Sequence, residues 1–531
     1  MNPENPAMEK GPQGGWPFLR RLVACEVAAT LLCGGYIGLV LEPHNRLYML
    51  FNREDTAALI LLVAAGGFLA ASLLHALAGA TRGRSDRWLS PWFFFGIVLA
   101  AFNFRPALRL TLVDYLPWLT GTVYYLLIWA LGGALTVAAY RKPRWRDWAA
   151  AGWRYSVYLW PILPILLFNL CMAPRWENVS GAPSRLGHRV DGKGAPVLIV
   201  ILDMIGYEDL FADGGRVKDE LPRLGDFAKT STVYHRARAP GDETGRSMPG
   251  FLLQEEVGIV ELGRGPAQWA PTNRPGASAK TAAEFEEALP YAFRQAGYRR
   301  VLIGYYLPFK ALMPGAFDEV FIRSYYGAAL SDQEGSPLGA AILHQLVRLV
   351  EESKDPVSAV AKQFQLHIRP FKQYFRNLTA EVQAEGLRHI RDSLSPGDFA
   401  VIHLPVPHQP YVFDAEGGRG QFGYLNPAGY PAQLEYADRL FGELMEALRE
   451  TGMWDESWVI VLSDHGPHFR DYNGTSAGKR HVPLMVKAPG QEIRRDVDVP
   501  IRLVDLGELP DFPLRALTAE AGETGRGDVE D

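Results

Sequence analysis

Five apolar segments crowd the first third of this chain, at approximately 22–41, 56–80, 88–104, 118–140 and 155–172. Each runs about 17–25 residues, enough helix to cross ~30 Å of hydrocarbon. A single cleaved signal peptide does not account for five such segments. Segment 88–104 is the shortest and runs straight into Asn103 and Arg105. Basic residues orient the set. Arg20 and Arg21 precede the first segment, Arg82, Arg84 and Arg87 follow the second, and Arg141, Lys142, Arg144 and Arg146 follow the fourth. The other two connections carry only Arg46 and Arg53, then Arg105 and Arg109. The positive-inside rule puts the richer set in the cytoplasm. Five spans from a cytoplasmic N-terminus (1–19) then carry everything after Ala173 across the membrane. Four spans and a buried helix would instead leave the rest in the cytoplasm.

The remaining sequence reads as globular. A polar linker at 173–195 leads to VLIVILD (197–203), a continuous apolar run ending in an acid. Such a run fits a strand buried on both faces, as in a parallel sheet. VLIGYY (301–306), DEVFI (318–322), FAVIHL (399–404), WVIVLSD (458–464) and VPLMVKA (482–488) repeat the pattern. Helical patterns lie between them at 281–296, 337–366, 379–394 and 433–451. Alternating strands and helices predict an α/β sandwich with a mostly parallel central sheet over 196–510. The acidic, Gly-rich stretch 511–531 reads as a disordered tail. Net charge is −5, so nothing suggests a nucleic-acid partner, and none is expected. The three cysteines, Cys25, Cys33 and Cys171, all lie in the apolar third, so no disulfide is expected downstream.

Ligands bind at the carboxyl ends of strands in open α/β sheets. Here three strands end in residues able to hold a metal: Asp203, His403 with His408 beyond it, and Asp464 with His465. Any one alone reads better as a cap, a turn or a structural histidine. Asp464 and His465 sit in LSDHG (462–466), where a carboxylate and an imidazole suit Zn²⁺ or Mn²⁺ and Gly466 lets the chain turn. Thr244 sits in GDETGRSMPGFLL (241–253). Ser247 and Pro249 look like a cap and first-turn proline, placing Thr244 just before a helix N-terminus that favours anions. A threonine hydroxyl is a poor nucleophile until a coordinated ion lowers its pKa. His408 in PVPHQPY and His481 in KRHVPLMVKAPG are candidates for holding a non-bridging oxygen or protonating a leaving group. His403 is expected to be structural, and His468 is left open.

In this order, these residues resemble the sulfatase-like branch of the alkaline phosphatase superfamily across about 195–490. With the apolar segments in front, the chain looks most like membrane phosphoethanolamine transferases and lipoteichoic acid synthases, which have five N-terminal spans and an extracytoplasmic catalytic domain. The transferase motif T-x-x-S-x-P matches Thr244, Ser247 and Pro249. The resemblance implies metal ligands Asp203, Thr244, Asp464 and His465, a Thr244 nucleophile, and substrate-side His408 and His481. The chain departs from those transferases in having no cysteine after Cys171. It departs from formylglycine sulfatases in lacking their C/S-x-P-S-R motif and in following Asp203 with Met204.

The resemblance therefore implies one divalent ion, zinc first with manganese or magnesium as alternatives, and leaves a second ion open. It implies a multi-pass protein (20–172) of a bacterial-type cytoplasmic membrane whose catalytic domain faces the periplasm or the outside. The partners implied are the lipid bilayer and a lipid or glycolipid substrate. The expected reaction transfers a phosphoryl-linked head group to an envelope acceptor through a covalent Thr244 intermediate. The alternatives are hydrolysis of phosphate, phosphonate or sulfate esters, and a catalytically silent sensor or scaffold.

Overall fold

The computed structural model describes residues 16–33, 36–37, 53–81, 130, 134, 136–138, 140–172, 194–261, 267–274, 276–285, 287–323, 338–352, 368–420, 426–470, 476–509 and 512. The chain divides into two compact units, Met1–Arg175 with Leu330–His367, and Trp176–Ala329 with Ile368–Asp531.

In the first unit, α1 (Trp16–Leu32) packs on α2 (Arg53–Ala80) through Ala24, Cys25, Val27, Ala28, Leu31, Ala71 and Leu74. The alanines keep this seam shallow, which lets two helix backbones approach. Among the described residues, one helix, Glu54–Ala80, is long and apolar enough to cross a membrane. It contains the expected span 56–80. The expected span 155–172 is broken instead. A short 3₁₀ turn, Ser156–Leu159, continues α3 (Pro143–Tyr155) and meets α4 (Ile162–Met172) at a 44° bend. Pro161 lies at that break and supplies no N–H to carry a helix through it. Segments 88–104 and almost all of 118–140 lie outside the described residues, as do 34–35 and 38–41 of the first segment, most of the linker and nearly all of the tail.

The helix Leu338–Glu352 answers the pattern at 337–366 but belongs to this first unit, not to the sheet domain assigned to 196–510. Buried polar groups explain the placement. Gln345 Nε2 donates to Asp55 Oδ1 at 3.0 Å, and Tyr36 donates its hydroxyl to Gln345 Oε1 at 2.9 Å. Leu349 packs beside them against the cluster of Tyr36, Ile37, Leu59 and Leu170.

The second unit is built on an eight-stranded sheet: β1 (Val197–Leu202), β2 (Thr232–Tyr234), β3 (Arg299–Tyr305), β4 (Glu319–Arg323), β5 (Asp398–Leu404), β6 (Trp458–Leu462), β7 (Leu484–Lys487) and β8 (Arg495–Val497). The spatial order is β8-β2-β7-β6-β1-β5-β3-β4. Only β7 runs against the others. The mostly parallel sheet expected from the apolar runs is therefore present. All six residues of β1 are buried, because strands flank both edges and helices cover both faces. Each such Val, Leu or Ile contributes about 1.5–3 kcal/mol by leaving water. The two strands not anticipated, β2 and β8, are three residues each, too short to show a period.

Helices α6 (Ile368–Asp392) and α7 (Tyr430–Glu450) press Phe375, Leu378, Val382, Leu440, Phe441 and Leu444 into this core. Gly386 permits the closest approach, since a Cβ there would stand 3.3 Å from both Ile402 Cδ1 and Leu444 Cδ2. Helix α5 is Thr244–Leu253.

Near the end of α6, His389 is only 1% exposed. Burial, with Arg299 and Arg388 nearby, pushes its pKa down to about 4 from 6.5. The unfolded chain then takes up a proton near 6.5 while the folded chain does so only near 4. Stability is therefore full above pH 6.5 and falls as pH drops through that window, by up to roughly 3 kcal/mol. Thermal melts of wild type and His389→Leu are expected to diverge in pH dependence between 6.5 and 4, with the variant falling less steeply. Parallel curves would rule out His389 as the cause.

Candidate metal and nucleophile site

The sheet brings the site together by register. Strands β5 and β6 flank β1, pairing Ile201 with both His403 and Leu462. The residues just past β1 and β6, Asp203 and Asp464, thus emerge side by side. Asp203 still donates its N–H to Leu404 O at 3.3 Å, so it extends the ladder rather than leaving it. Met204 then takes a left-handed φ of 69°, a costly conformation for a residue with a Cβ. Its N–H reaches Asp464 Oδ1 at 3.2 Å. Ile205 N–H binds Ser463 Oγ at 2.8 Å. These bonds lock the end of β1 onto the end of β6.

Asp203, Asp464 and His465 are buried, and one ligand atom from each lies within 4.8 Å of the others. His465 Nε2 stands 3.6 Å from Asp203 Oδ1 and 3.6 Å from Asp464 Oδ2. Its Nδ1 meets Gly466 O at 2.9 Å. Both Asp203 Oδ1 and Asp464 Oδ2 are buried without a hydrogen bond. Two orphaned carboxylate oxygens beside an imidazole fit a divalent cation, which needs such anionic oxygen and nitrogen donors. Gly466 was expected to turn the chain; its N–H is committed to Lys479 O at 2.6 Å.

Thr244 joins this group. Its hydroxyl donates to Asp203 Oδ2 at 3.4 Å and lies 3.3 Å from His465 Nε2. The helix begins earlier than the sequence implied. Ser247 N–H binds Glu243 O at 2.9 Å, which makes Thr244 the first residue of α5 and leaves Pro249 inside it. Ser247 is no cap; its hydroxyl donates to the Asp464 carbonyl. It thereby ties the nucleophile's helix to the strand end that carries the ligands. The N-terminal turn of this helix, with its dipole, favours an anion beside Thr244.

The electrostatics follow from burial. It pushes Asp203 upward, but the imidazoles of His408, His403 and His465 outweigh it and hold that carboxyl well below the usual range. Asp464 is pushed up by burial and by the charge of Asp203. Burial lowers His465, but Asp464 and Asp203 reverse this and raise it. Burial lowers His408. His468 is lowered to about 4 by burial and by His465 and His408.

The expected substrate histidines divide. His408 lies with the cluster, its ring 6.4 Å from those of His465 and His468. His481 faces elsewhere. Its Nε2 donates to His235 O at 2.9 Å, and its ring stacks on Tyr207 at 4.5 Å. Two further residues join the site. His403 Nε2 is 3.3 Å from Asp203 Oδ2, and Tyr305 donates its hydroxyl to the same oxygen. His403 was expected to be structural, yet it faces a ligand. Gly304 on β3 makes room for it, since a Cβ there would meet His403 Cβ at 2.9 Å. The signal for Tyr305 was its place at the end of a strand one removed from β1.

Comparison with known proteins adds the following. The sulfatase family profile matches residues 196–508. An arylsulfatase K of Danio rerio is 37% identical over 84 residues, 15% of this chain and 16% of that protein. A multifunctional alkaline phosphatase superfamily protein, PehA of Trinickia caryophylli, is 33% identical over 69 residues, 12% of this chain and 13% of that protein. The matches thus span about a sixth or less of those relatives' lengths. Among solved structures, the phosphonate monoester hydrolase of Agrobacterium radiobacter aligns with a TM-score of 0.37 at 18% identity, covering 59% of this chain and 72% of its own. The phosphonate monoester hydrolase of Silicibacter pomeroyi gives 0.38 at 17%, covering 62% and 73%.

Removing a ligand should be separable from loosening one. Asp464→Ala is expected to abolish stoichiometric divalent metal in the purified chain by elemental analysis. His403→Gln should keep the metal but weaken its affinity about 10–100-fold, as for other partners that orient a ligand. Full metal retention in Asp464→Ala would contradict the ligand assignment.

Proposed function

Because the chain belongs to the sulfatase family, we propose that it is a metal-dependent enzyme acting on phospho- or sulfo-ester bonds, with Thr244 as nucleophile. The observation that carries this is the Thr244 hydroxyl beside Asp203 and His465, where two buried carboxylate oxygens lack hydrogen bonds. Asp203, Asp464 and His465 would hold the ion, zinc in the first instance, with Thr244 completing the set. When bound, such an ion supplies Lewis-acid stabilisation and lowers the pKa of a coordinated hydroxyl.

The reaction has two displacements. Thr244 Oγ bonds to phosphorus, and the bond from phosphorus to the leaving alcohol breaks. The proton released by Thr244 ends on the leaving oxygen. His408 is the group we assign to carry it. Burial keeps that imidazole neutral near pH 7, able to accept a proton and return it. In the second displacement an acceptor hydroxyl attacks phosphorus, its proton passes to His408 and on to Thr244 Oγ, and the Thr244 Oγ–phosphorus bond breaks. The first-turn N–H groups of α5 hold the non-bridging oxygens. Splitting one displacement into two lowers each barrier.

The finer reading is transfer of a phosphoryl-linked head group from a membrane lipid. Its support is the apolar first unit on the same chain. Leu61, Phe68, Leu69, Leu73 and Leu77 are all exposed on α2, a surface that a bilayer would cover. Anchoring would keep the site near a lipid donor and raise its effective concentration. By the positive-inside rule, the basic connections support a second unit on the far side of the cytoplasmic membrane. Hydrolysis is the second reading, and it differs only in using water as the acceptor.

Intact-mass analysis after mixing with donor tests the nucleophile. Wild type should carry one phosphoryl-type adduct on Thr244, and Thr244→Ala none, with turnover at least ~10³-fold lower. An adduct on Ser247 would overturn the assignment. A labelled second molecule, rather than released head group alone, separates transfer from hydrolysis.

A further inference from the structure

A cavity of about 710 Å³ opens in the second unit away from the Thr244 cluster. Its lining includes Arg236, Arg238, Arg480, His481 and Arg502, against the acids Glu256 and Asp505. The acids are already committed. Arg480 pairs with Glu256 and donates Nε to Ala239 O at 2.7 Å. Arg502 holds Asp505 with two hydrogen bonds of 2.7 and 2.6 Å. Arg236 and Arg238 are exposed, and among the described residues neither has a carboxylate within ion-pair distance. Arg238 also stands directly opposite Arg502 in the two-stranded pairing of 237–238 with 501–502. Asp505 answers the charge of Arg502 in this pairing and leaves that of Arg238 facing the cavity. In a chain of net charge −5, two guanidinium groups at one concavity with no carboxylate partner among the described residues form a local positive site.

The cavity wall is built from the segments that carry the cluster. Arg238 bridges His481. His481 O accepts from Tyr207 N–H at 3.0 Å, four residues past Asp203, and Lys479 O accepts from Gly466 N–H, just past His465. The segment after Arg238 leads within six residues to Thr244. This also accounts for His481, whose ring the cluster does not use.

We infer that this cavity is a second anion site, holding a phosphate, sulfate or carboxylate of the substrate apart from the bond that Thr244 attacks. Guanidinium forks match planar and tetrahedral oxyanions through paired N–H donors, and the volume admits a head-group-sized ligand. Only the word substrate rests on the proposed function; the anion site does not.

Calorimetric titration of the full chain in detergent with inorganic phosphate tests it. One phosphate site should weaken at least ten-fold in Arg236→Gln/Arg238→Gln and stay unchanged in Thr244→Ala. Both arginines are exposed and bind no other side chain among the described residues, so the fold should survive; Arg236→Lys/Arg238→Lys, with charge kept, should recover part of the affinity. Wild-type phosphate binding in the Gln double variant overturns the inference. A second arm uses dioctanoyl phosphatidic acid. Binding tighter than phosphate, and lost in the same variant, assigns the oxyanion to a lipid head group. Binding no tighter assigns it to a water-soluble ligand. Failure of the Thr244 reading leaves these results untouched, because binding needs no turnover.

Discussion

Two carboxylates buried side by side, Asp203 and Asp464, set the terms for this whole domain. Moving an ion out of water costs several kcal/mol even after relaxation, and a second like charge nearby adds to that. Among the described residues, no arginine or lysine pairs with either acid. The chain surrounds the pair with imidazoles and one phenol, and leaves an oxygen of each acid without a donor. That arrangement suits a cation between the two acids. The rest of the site serves to keep the pair in place: the strained Met204, the hydroxyl of Ser463, and Ser247 reaching across from α5.

Much of this was legible before any coordinates. Apolar runs long enough for strands and too continuous for one exposed face required a sheet covered on both sides. Polar residues at the ends of those runs were then bound to converge, which is how Asp203, Asp464 and His465 were found. Thr244 came from motif order rather than from its own surroundings. What stayed hidden had physical causes. His403 sits within a strand, where the alternation of side chains says which face a residue takes but not what waits there. It meets Asp203 only because Gly304 on the next strand leaves the space. His481 has the right neighbours in sequence, but β7 runs antiparallel and its preceding residues fold back on Tyr207. The pattern at 337–366 is helical over Leu338–Glu352, with 353–366 outside the described residues, yet periodicity cannot say which of two cores a helix will join.

The histidines show how one environment divides labour among like residues. His465 is held toward its charged form by two acids, while His408 and His468 are held toward neutrality by burial and by the nearby His465. The histidine proposed as a ligand and the one proposed as a proton carrier are thus the same side chain in two environments, with ring centres 6.4 Å apart. The first turn of α5 adds backbone donors at no cost in charge, so the site accepts an anion without burying a further lysine or arginine.

The placement of Leu338–Glu352 with the first unit has a topological consequence. The chain passes between the units not once but three times, near residues 175, 330 and 367. After nicking of the 173–195 segment, the sheet domain would stay covalently joined only to the stretch 330–367, so its hold on the rest of the first unit would pass to the packing and hydrogen bonds of Leu338–Glu352. A secreted fragment beginning after Arg175 would carry the same helix stripped of its counterparts. Gln345 would lose both Asp55 and Tyr36, and a leucine-rich face would be left to find other cover. Such a fragment would be prone to self-association for reasons unrelated to its catalytic core, and deleting the helix along with the first unit would be the way to avoid it.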